Sequence, residues 1–483
     1  MTTVGQLCNA IEGRLTAGRH VAGAAKQPLD GVSIDTRTLA AGEVFWALRG
    51  TRRDGAAFVP EAFSRGAAGV VAAAAVEVPD DRWAICVDDA QAALWRAAAW
   101  YRSRLCGTPI AVTGSVGKTT TRQMIHTVLG SRLRGVASPR NYNNHIGLPL
   151  SLLGVEPDHD YAVLELGASR RGEIAALAGL CAPRLGVITQ LGEAHLAGFG
   201  SREAIAESKA ELLAALPDDG HAVLADDPWL RHAARRCPPP ITWVGANSHC
   251  DLQATDVTTA RGRLAFAIKG SGVFCPDGPE GTAKKRFPTP LCRFDIPVWG
   301  RHHLTSALCA IAAGRLLGLD FECMAAALRN YQPVAMRCEV REIRGATVVN
   351  DTYNACPTAM RAALELVADL DAPGRRIVVL GDMDELAEEA PRLHWELGRQ
   401  AVAVGRAHLL IACGRFARFV VGGARAAGMT PARAIPCDTL EQTLPYLGQA
   451  ILPGDTVLVK GSRSVGMERI VEALNQYPIR RTA

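Results

Sequence analysis

No paired cysteines, no long apolar run and no dominant charge of either sign mark this chain. The fourteen cysteines are scattered, with no Cys-x-x-Cys pair and a closest spacing of thirteen residues, and most stand in apolar contexts such as Ile85-Cys86-Val87 and Ala412-Cys413-Gly414. Zinc and disulfide frameworks use tighter, paired spacing, so the thiols read as small buried hydrophobes in a reducing cytoplasm. The longest apolar run, Ala67 to Val76, is far short of the roughly 20 residues that span a bilayer, which argues against membrane insertion. A net charge of +5 over 483 residues with no basic block points to neither nucleic acid nor an anionic membrane surface. The first fourteen residues carry Asn9 and Glu12 and lack the basic start and apolar stretch of a secretory signal, so a cytoplasmic protein is expected.

With 48% hydrophobic and 21% charged residues the composition is that of a globular protein, and the length calls for two to four domains. The most informative stretch is Ala111-Val112-Thr113-Gly114-Ser115-Val116-Gly117-Lys118-Thr119-Thr120. Apolar residues lead into a small-residue turn, and a helical pattern follows from Thr121 to Leu129. Strand, Gly-rich turn and helix in that order aim backbone N–H groups and a helix N-terminus at a phosphate. Lys118 is placed to reach terminal phosphates and the Thr119 hydroxyl to hold magnesium. Position 112 is Val where the longer phosphate-loop form has Gly, so this is a short Gly-x-x-Gly-Lys-Thr version.

Residues 1–106 alternate strand-like and helical segments: strands at Gly31–Arg37, Gly42–Gly50 and Gly69–Ala72, a helix from Phe58 to Gly66, and an Ala-rich helix from Ala90 to Leu105. Ser33, Asp35, Thr36 and Arg37 gather at a strand end, where ligand contacts and a solvated turn with a local Asp–Arg pair are equally good readings. Residues 107–333 read as a mainly parallel, doubly wound sheet whose strands Tyr161–Leu166 and Leu185–Thr189 end in Glu165 and run on to His195. A carboxylate closing an apolar strand is costly unless paired or metal-bound, so Glu165 is a candidate magnesium ligand. By itself His195 reads as structural. Gly270 to Pro290 reads as an exposed loop, and Leu304 to Leu317 as a helix. From 334 to 483 a further α/β unit has strands at Ala346–Asn350, Ile377–Leu380, Leu409–Ala412 and Thr456–Val459.

Several blocks together resemble the Mur ligase family. They are the short phosphate loop Thr113–Thr120, Asn141-Tyr142-Asn143-Asn144-His145-Ile146-Gly147, Glu165-Leu166-Gly167-Ala168, Ala194-His195-Leu196, and Ala206-Glu207-Ser208-Lys209. Later blocks are Asp351-Thr352-Tyr353-Asn354-Ala355-Cys356-Pro357, Gly381-Asp382-Met383-Asp384-Glu385-Leu386 and Lys460-Gly461-Ser462-Arg463. The resemblance implies an α/β protein of three domains: a small N-terminal substrate domain (1–106), a central doubly wound P-loop ATPase-like domain (107–333) and a C-terminal Rossmann-like domain (334–483). It also implies ATP-dependent amide-bond synthesis with UDP-N-acetylmuramoyl-tripeptide and D-alanyl-D-alanine as partners, carried out by a monomer.

By resemblance, Gly114, Ser115, Val116, Gly117, Lys118, Thr119 and Thr120 hold ATP. One Mg2+ is held through Thr119 and Glu165, and a second uses His195 and Glu165. A lysine in the position of Lys209 is carbamylated in similar proteins and becomes an anionic metal ligand. On the residues alone Lys209 is an ordinary helix-surface lysine flanked by Glu207 and Glu211. Arg337 and Asp351 reach ATP from the third domain. Asn354, Lys460, Ser462 and Arg463 line the dipeptide side, and Ser33, Asp35, Thr36, Arg37, Asn143 and Asn144 face the UDP-muramoyl substrate. The chain departs from the family pattern at Val116, Gln190, His303, Ser306 and the Leu224-Ala225-Asp226 stretch, where asparagine is common; those at 303 and 306 bear on adenine recognition. The alternatives are another ligase of the superfamily and a non-catalytic nucleotide-binding regulator. Lys118, Glu165, His195, Lys209, Arg337 and Asp351 together argue against the regulator, because binding alone does not need the whole set.

Overall fold

Short runs rich in Val, Ile and Ala form nearly all the central strands, because β-branched side chains pack well on a pleated surface buried on both faces. The computed structural model describes residues 2–237, 239–270, 292–371 and 373–476. Two compact units divide the chain: Met1–Ala111 with Leu133–Gly167 and Ala175–Arg184, and Val112–Arg132 with Ala168–Ile174 and Leu185–Ala483.

The first unit contains a five-stranded sheet in the order Arg14–Ala17, Trp83–Cys86, Gly69–Ala72, Val44–Ala47, Val32–Ser33, parallel except for its first pair. Trp46 and Trp83 are buried in its core, and the Trp46 indole N–H donates to the Ala90 carbonyl at 2.7 Å. That carbonyl begins the helix Ala90–Arg102, whose N-cap Asp89 accepts from the N–H groups of Gln91 and Ala92. The expected strand at 31–37 is confined to Val32–Ser33, because Asp35 N–H turns back to the Ser33 hydroxyl. Strands Thr108–Thr113, Tyr161–Glu165 and Gly135–Ala137 follow in that spatial order.

In the second unit the strands Leu185–Ile188, His221–Ala225, Ile241–Gly245 and Leu252–Ala260 run parallel. The sheet is mainly parallel, as expected, but its edge is not. Arg263–Gly270 and Cys292–Ile296 continue as an antiparallel meander. Arg261 and Gly262 both have positive φ (48° and 75°), the backbone of a two-residue hairpin turn, and the strand before it alternates buried and more open positions only over Leu252–Thr255, its later residues being mostly exposed. Residues 271–290 of the expected loop lie outside the described residues; Gly270 itself ends a strand.

A six-stranded sheet follows in the order Glu339–Ile343, Ala346–Asp351, Thr456–Lys460, Arg376–Gly381, Leu409–Cys413, Ala434–Cys437, parallel except for its first pair. Separate apolar clusters cover its two faces, one around Met360, Val378 and Leu410 and the other around Val379, Val457 and Met467. This is the expected Rossmann-like arrangement with one hairpin strand added in front. All thirteen described cysteines are free. Among the described residues no helix is long and apolar enough to cross a membrane.

Candidate active site

Strand Thr108–Thr113 delivers the chain into the turn ahead of helix Lys118–Leu129. Gly114 has φ 143°, and a Cβ there would lie 2.0 Å from the Thr189 hydroxyl, so only glycine fits. Gly117, at φ 87°, is the N-cap of a helix whose first turn projects N–H groups outward. The N–H groups of Ser115 and Val116 both donate to the Gln190 carbonyl at 3.1 Å, and the Thr189 hydroxyl donates to the Val116 carbonyl at 2.7 Å. The loop is thus pinned from the neighbouring strand end, where Gln190 stands in place of the usual asparagine. Lys118 Nζ donates to the Gly114 carbonyl at 2.8 Å, which folds its charge over the turn. The Ser115 hydroxyl is buried and has no hydrogen-bond partner among the described residues.

From a segment 218 residues further along the chain, Arg337 reaches this turn. Its Nη2 donates to the Thr119 hydroxyl at 3.0 Å, and its guanidinium lies over the Tyr353 ring, 4.1 Å from the centroid. The flanking residues Met336 and Cys338 both have positive φ (58° and 51°), a conformation that side-chain-bearing residues keep only where their surroundings impose it. One such restraint is the Asp351 carboxylate, which accepts from the Cys338 N–H at 3.1 Å. Its other oxygen pairs with Lys460 Nζ at 2.6 Å, and Lys460 also donates to the Asn354 carbonyl at 2.9 Å. Lys460 is only 2% exposed, so its partners are these protein groups. Ser462 is buried and its hydroxyl accepts from the Asp384 N–H, whereas Arg463 is exposed and paired with Glu468.

Lys209 corrects the reading of its helix as a solvated surface. It lies on helix Arg202–Ala214 and is 1% exposed, with Nζ donating to the Ala168 carbonyl at 3.3 Å and lying over the Phe199 ring. Its neighbours Glu207 and Glu211 turn away to Arg171 and to the Gly172 N–H. Burial first, and the nearby Lys118 charge second, pull the ammonium down to about 7, so a neutral amine is available near neutral pH. His195 caps the short helix Leu196–Phe199 with φ 60°, and its Nδ1 is paired with the Glu385 carboxylate. The hydrogen bond from His195 holds Glu385 below the usual carboxylate range. His303 and Ser306 are buried where helix Leu304–Leu316 begins, and the Ser306 hydroxyl is 3.2 Å from where a Cβ on Gly117 would stand.

In the first unit, Glu165 is 2% exposed at the end of its strand. Asn143 Nδ2 donates to it at 2.8 Å, and its own N–H donates to the Ser138 hydroxyl. Asn144 is exposed, and its side chain accepts from the N–H groups of Ile146 and Gly147 at the head of helix Gly147–Leu153. Asp35 and Arg37 pair at 2.6 Å, which draws the carboxyl down to about 2, while Thr36 is buried and Ser33 bonds within the turn.

In the sequence Glu385 and Tyr353 stand only as members of motifs, with no role of their own. Neither carried a local signal, because their partners His195 and Arg337 come from distant segments. Three family models match the chain in order: the Mur ligase family catalytic domain over 28–99, the Mur ligase middle domain over 112–314, and the Mur ligase glutamate ligase domain over 336–463. The UDP-N-acetylmuramoyl-tripeptide–D-alanyl-D-alanine ligase of Bacillus subtilis is 35% identical over 479 residues, covering 99% of each chain. Among solved structures, MurF from Acinetobacter baumannii aligns with a TM-score of 0.82 and 27% identity over 98% of each chain. MurF ligase from Thermotoga maritima in complex with ADP gives 0.76 and 28%, over 92% of this chain and 97% of that one.

Proposed function

Since the chain belongs to the Mur ligase family, we propose that it joins D-alanyl-D-alanine to UDP-N-acetylmuramoyl-tripeptide, the last cytoplasmic step of peptidoglycan precursor assembly. The reaction forms ADP and phosphate. The γ-phosphate passes to the terminal carboxylate of the tripeptide to give an acyl phosphate, the dipeptide amine attacks it, and a tetrahedral intermediate expels phosphate. A free carboxylate is a poor electrophile at neutral pH, so phosphorylation supplies the leaving group. Two anions must meet, which makes positioning and charge neutralisation the main demands on the protein.

The observation that carries this reading is the bond from Arg337 to the Thr119 hydroxyl, which brings a cation to the phosphate loop from a segment 218 residues away. A protein that only bound nucleotide would not need it. In this reading Lys118 and Arg337 neutralise the transferring phosphoryl group, residues 114–120 cradle ATP, and Asp351 orients the nucleotide. Ser33, Asp35, Thr36, Arg37, Asn143 and Asn144 serve the UDP-muramoyl substrate, and Asn354, Lys460, Ser462 and Arg463 serve the dipeptide. Asn144, whose side chain is engaged by its own helix head, and the buried Lys460 and Ser462 act there by holding the backbone in place. The three family matches support domains at 1–106, 107–333 and 334–483.

The family resemblance assigns Thr119, Glu165, His195 and Lys209 to magnesium; the hard oxygen donors of Thr119 and Glu165 suit that ion, which would supply charge neutralisation of the phosphates. Lys209 supports carbamylation: its neutral amine adds to carbon dioxide, forming an N–C bond and releasing one proton, which yields a carboxylate-like ligand. Release of phosphate from ATP only when both UDP-muramoyl-tripeptide and D-alanyl-D-alanine are present tests the assignment. Equal turnover with D-glutamate in place of the dipeptide would sink it, as would unchanged activity in Lys118→Ala, where a loss of about 100-fold or more is expected.

A further inference from the structure

Thirty-five positions separate His303 from Cys338 in the chain, a spacing that resembles no zinc motif, yet the fold brings them together with His302. The ligating atoms of the three side chains lie within 4.8 Å of one another. His302 Nε2 stands 3.5 Å from Cys338 Sγ, and the two imidazoles are 4.1 Å apart between centroids. His303 and Cys338 are buried, and His302 is half-buried. The thiol is presented by a left-handed backbone (φ 51°) that Asp351 fixes through the Cys338 N–H. Two imidazole nitrogens and one thiol sulfur in largely buried surroundings form a donor set for borderline-to-soft cations, and one that suits magnesium poorly.

We propose that His302, His303 and Cys338 form a zinc(II) site with three protein ligands and a fourth position left to water. Burial keeps both imidazoles below their usual range, in the neutral form that ligates. It also pushes the Cys338 thiol up, so binding breaks the S–H bond, forms a zinc–thiolate bond and releases one proton to the buffer. The histidines belong to the middle-domain match and Cys338 to the C-terminal match, so the ion would tie these two segments together next to Arg337. The other cluster of this kind among the described residues, Asp226, His249 and Cys250, carries nothing comparable, because Arg231, Asn247 and His249 already occupy its carboxylate.

Metal-free full-length protein titrated with zinc against a chromophoric chelator, and in parallel with cobalt(II), tests the site without any substrate. One tightly held ion per chain and a thiolate-to-cobalt charge-transfer band are expected. The band should vanish in Cys338→Ser. Zinc affinity should fall by more than about 100-fold in both Cys338→Ser and His302→Gln, beyond the roughly 10–100-fold that outer-shell partners contribute. His302 is half-buried, so His302→Gln gives an answer even if the cysteine variant fails to fold. Wild-type affinity in His302→Gln, a cobalt band that persists in Cys338→Ser, or displacement of the zinc by millimolar magnesium would overturn the proposal. Loss of zinc binding would leave the ligase reading intact, and loss of ligase activity would leave the zinc site intact.

Discussion

Arg337 donates to the hydroxyl of Thr119 at 3.0 Å, and the same guanidinium stacks on Tyr353 at 4.1 Å. The ring fixes the plane of the cation and the hydrogen bond fixes where it points. Replacing Arg337 with Ala should lower kcat by about 100- to 1000-fold, the cost of removing one preorganised electrostatic contact, with a smaller change in KM for ATP. Arg337→Lys should recover little of this, because an ammonium has neither the planar stack nor the fork geometry. Steady-state phosphate release with saturating substrates measures both. A lysine variant at wild-type kcat would show that only charge matters.

Lys209 should impose a pH dependence on stability. Its folded value of about 7 lies well below the ordinary 10.5 that the unfolded chain regains. The folded state therefore gives up a proton that the unfolded state keeps, and stability rises with pH between those values. The penalty is fully present at and below pH 7 and gone above about 10.5. In carbon-dioxide-free buffer Lys209→Met should be more stable than wild type at pH 7 by on the order of 5 kcal/mol, with the gap closing as the pH approaches 10.5. Denaturant titrations across that range check the sign. A gap that widens with rising pH would contradict the buried neutral amine.

Asp351 and Lys460 form a buried pair at 2.6 Å, with 12% and 2% of their side chains exposed. Breaking such a pair leaves a stranded charge and costs about 3–5 kcal/mol, whereas replacing both members with apolar groups is close to neutral. Lys460→Met alone should therefore destabilise strongly, because the Asp351 carboxylate loses its cation. Asp351→Leu with Lys460→Met should regain most of that stability while phosphate release stays lost. Chemical denaturation of the two single variants and the double variant gives the coupling energy directly. Additive losses would mean that the pair is not coupled.

Much of the phosphate loop was legible in the sequence because its chemistry is local. Gly114, Gly117, Lys118 and Thr119 stand within six positions, and apolar runs on either side announce strand and helix. The parallel strands of the last sheet were legible for the same reason, as continuous runs such as Ile377–Leu380. The antiparallel meander at Leu252–Ile296 was not, because its turn signal is the single Gly262 and polar alternation there resembles a solvated loop. The burial of Lys209 also escaped, because Glu207 and Glu211 beside it suggest a solvated helix face, and only the packing of Phe199 and Ala168 shows which face turns inward.

Sequence alone determined the phosphate-binding turn, the alternation of strands and helices, and membership in a family, since each depends on neighbours a few residues apart or on a pattern summed over the whole chain. Tertiary structure decided which charges are buried and which side chains meet. Lys209 became an amine that titrates near neutrality, Arg337 met Thr119, Glu385 took the ring of His195, and two histidines closed on Cys338. These outcomes depend on desolvation and on contacts between residues far apart in the chain. Both are set by how the elements pack, and no local stretch of sequence records them.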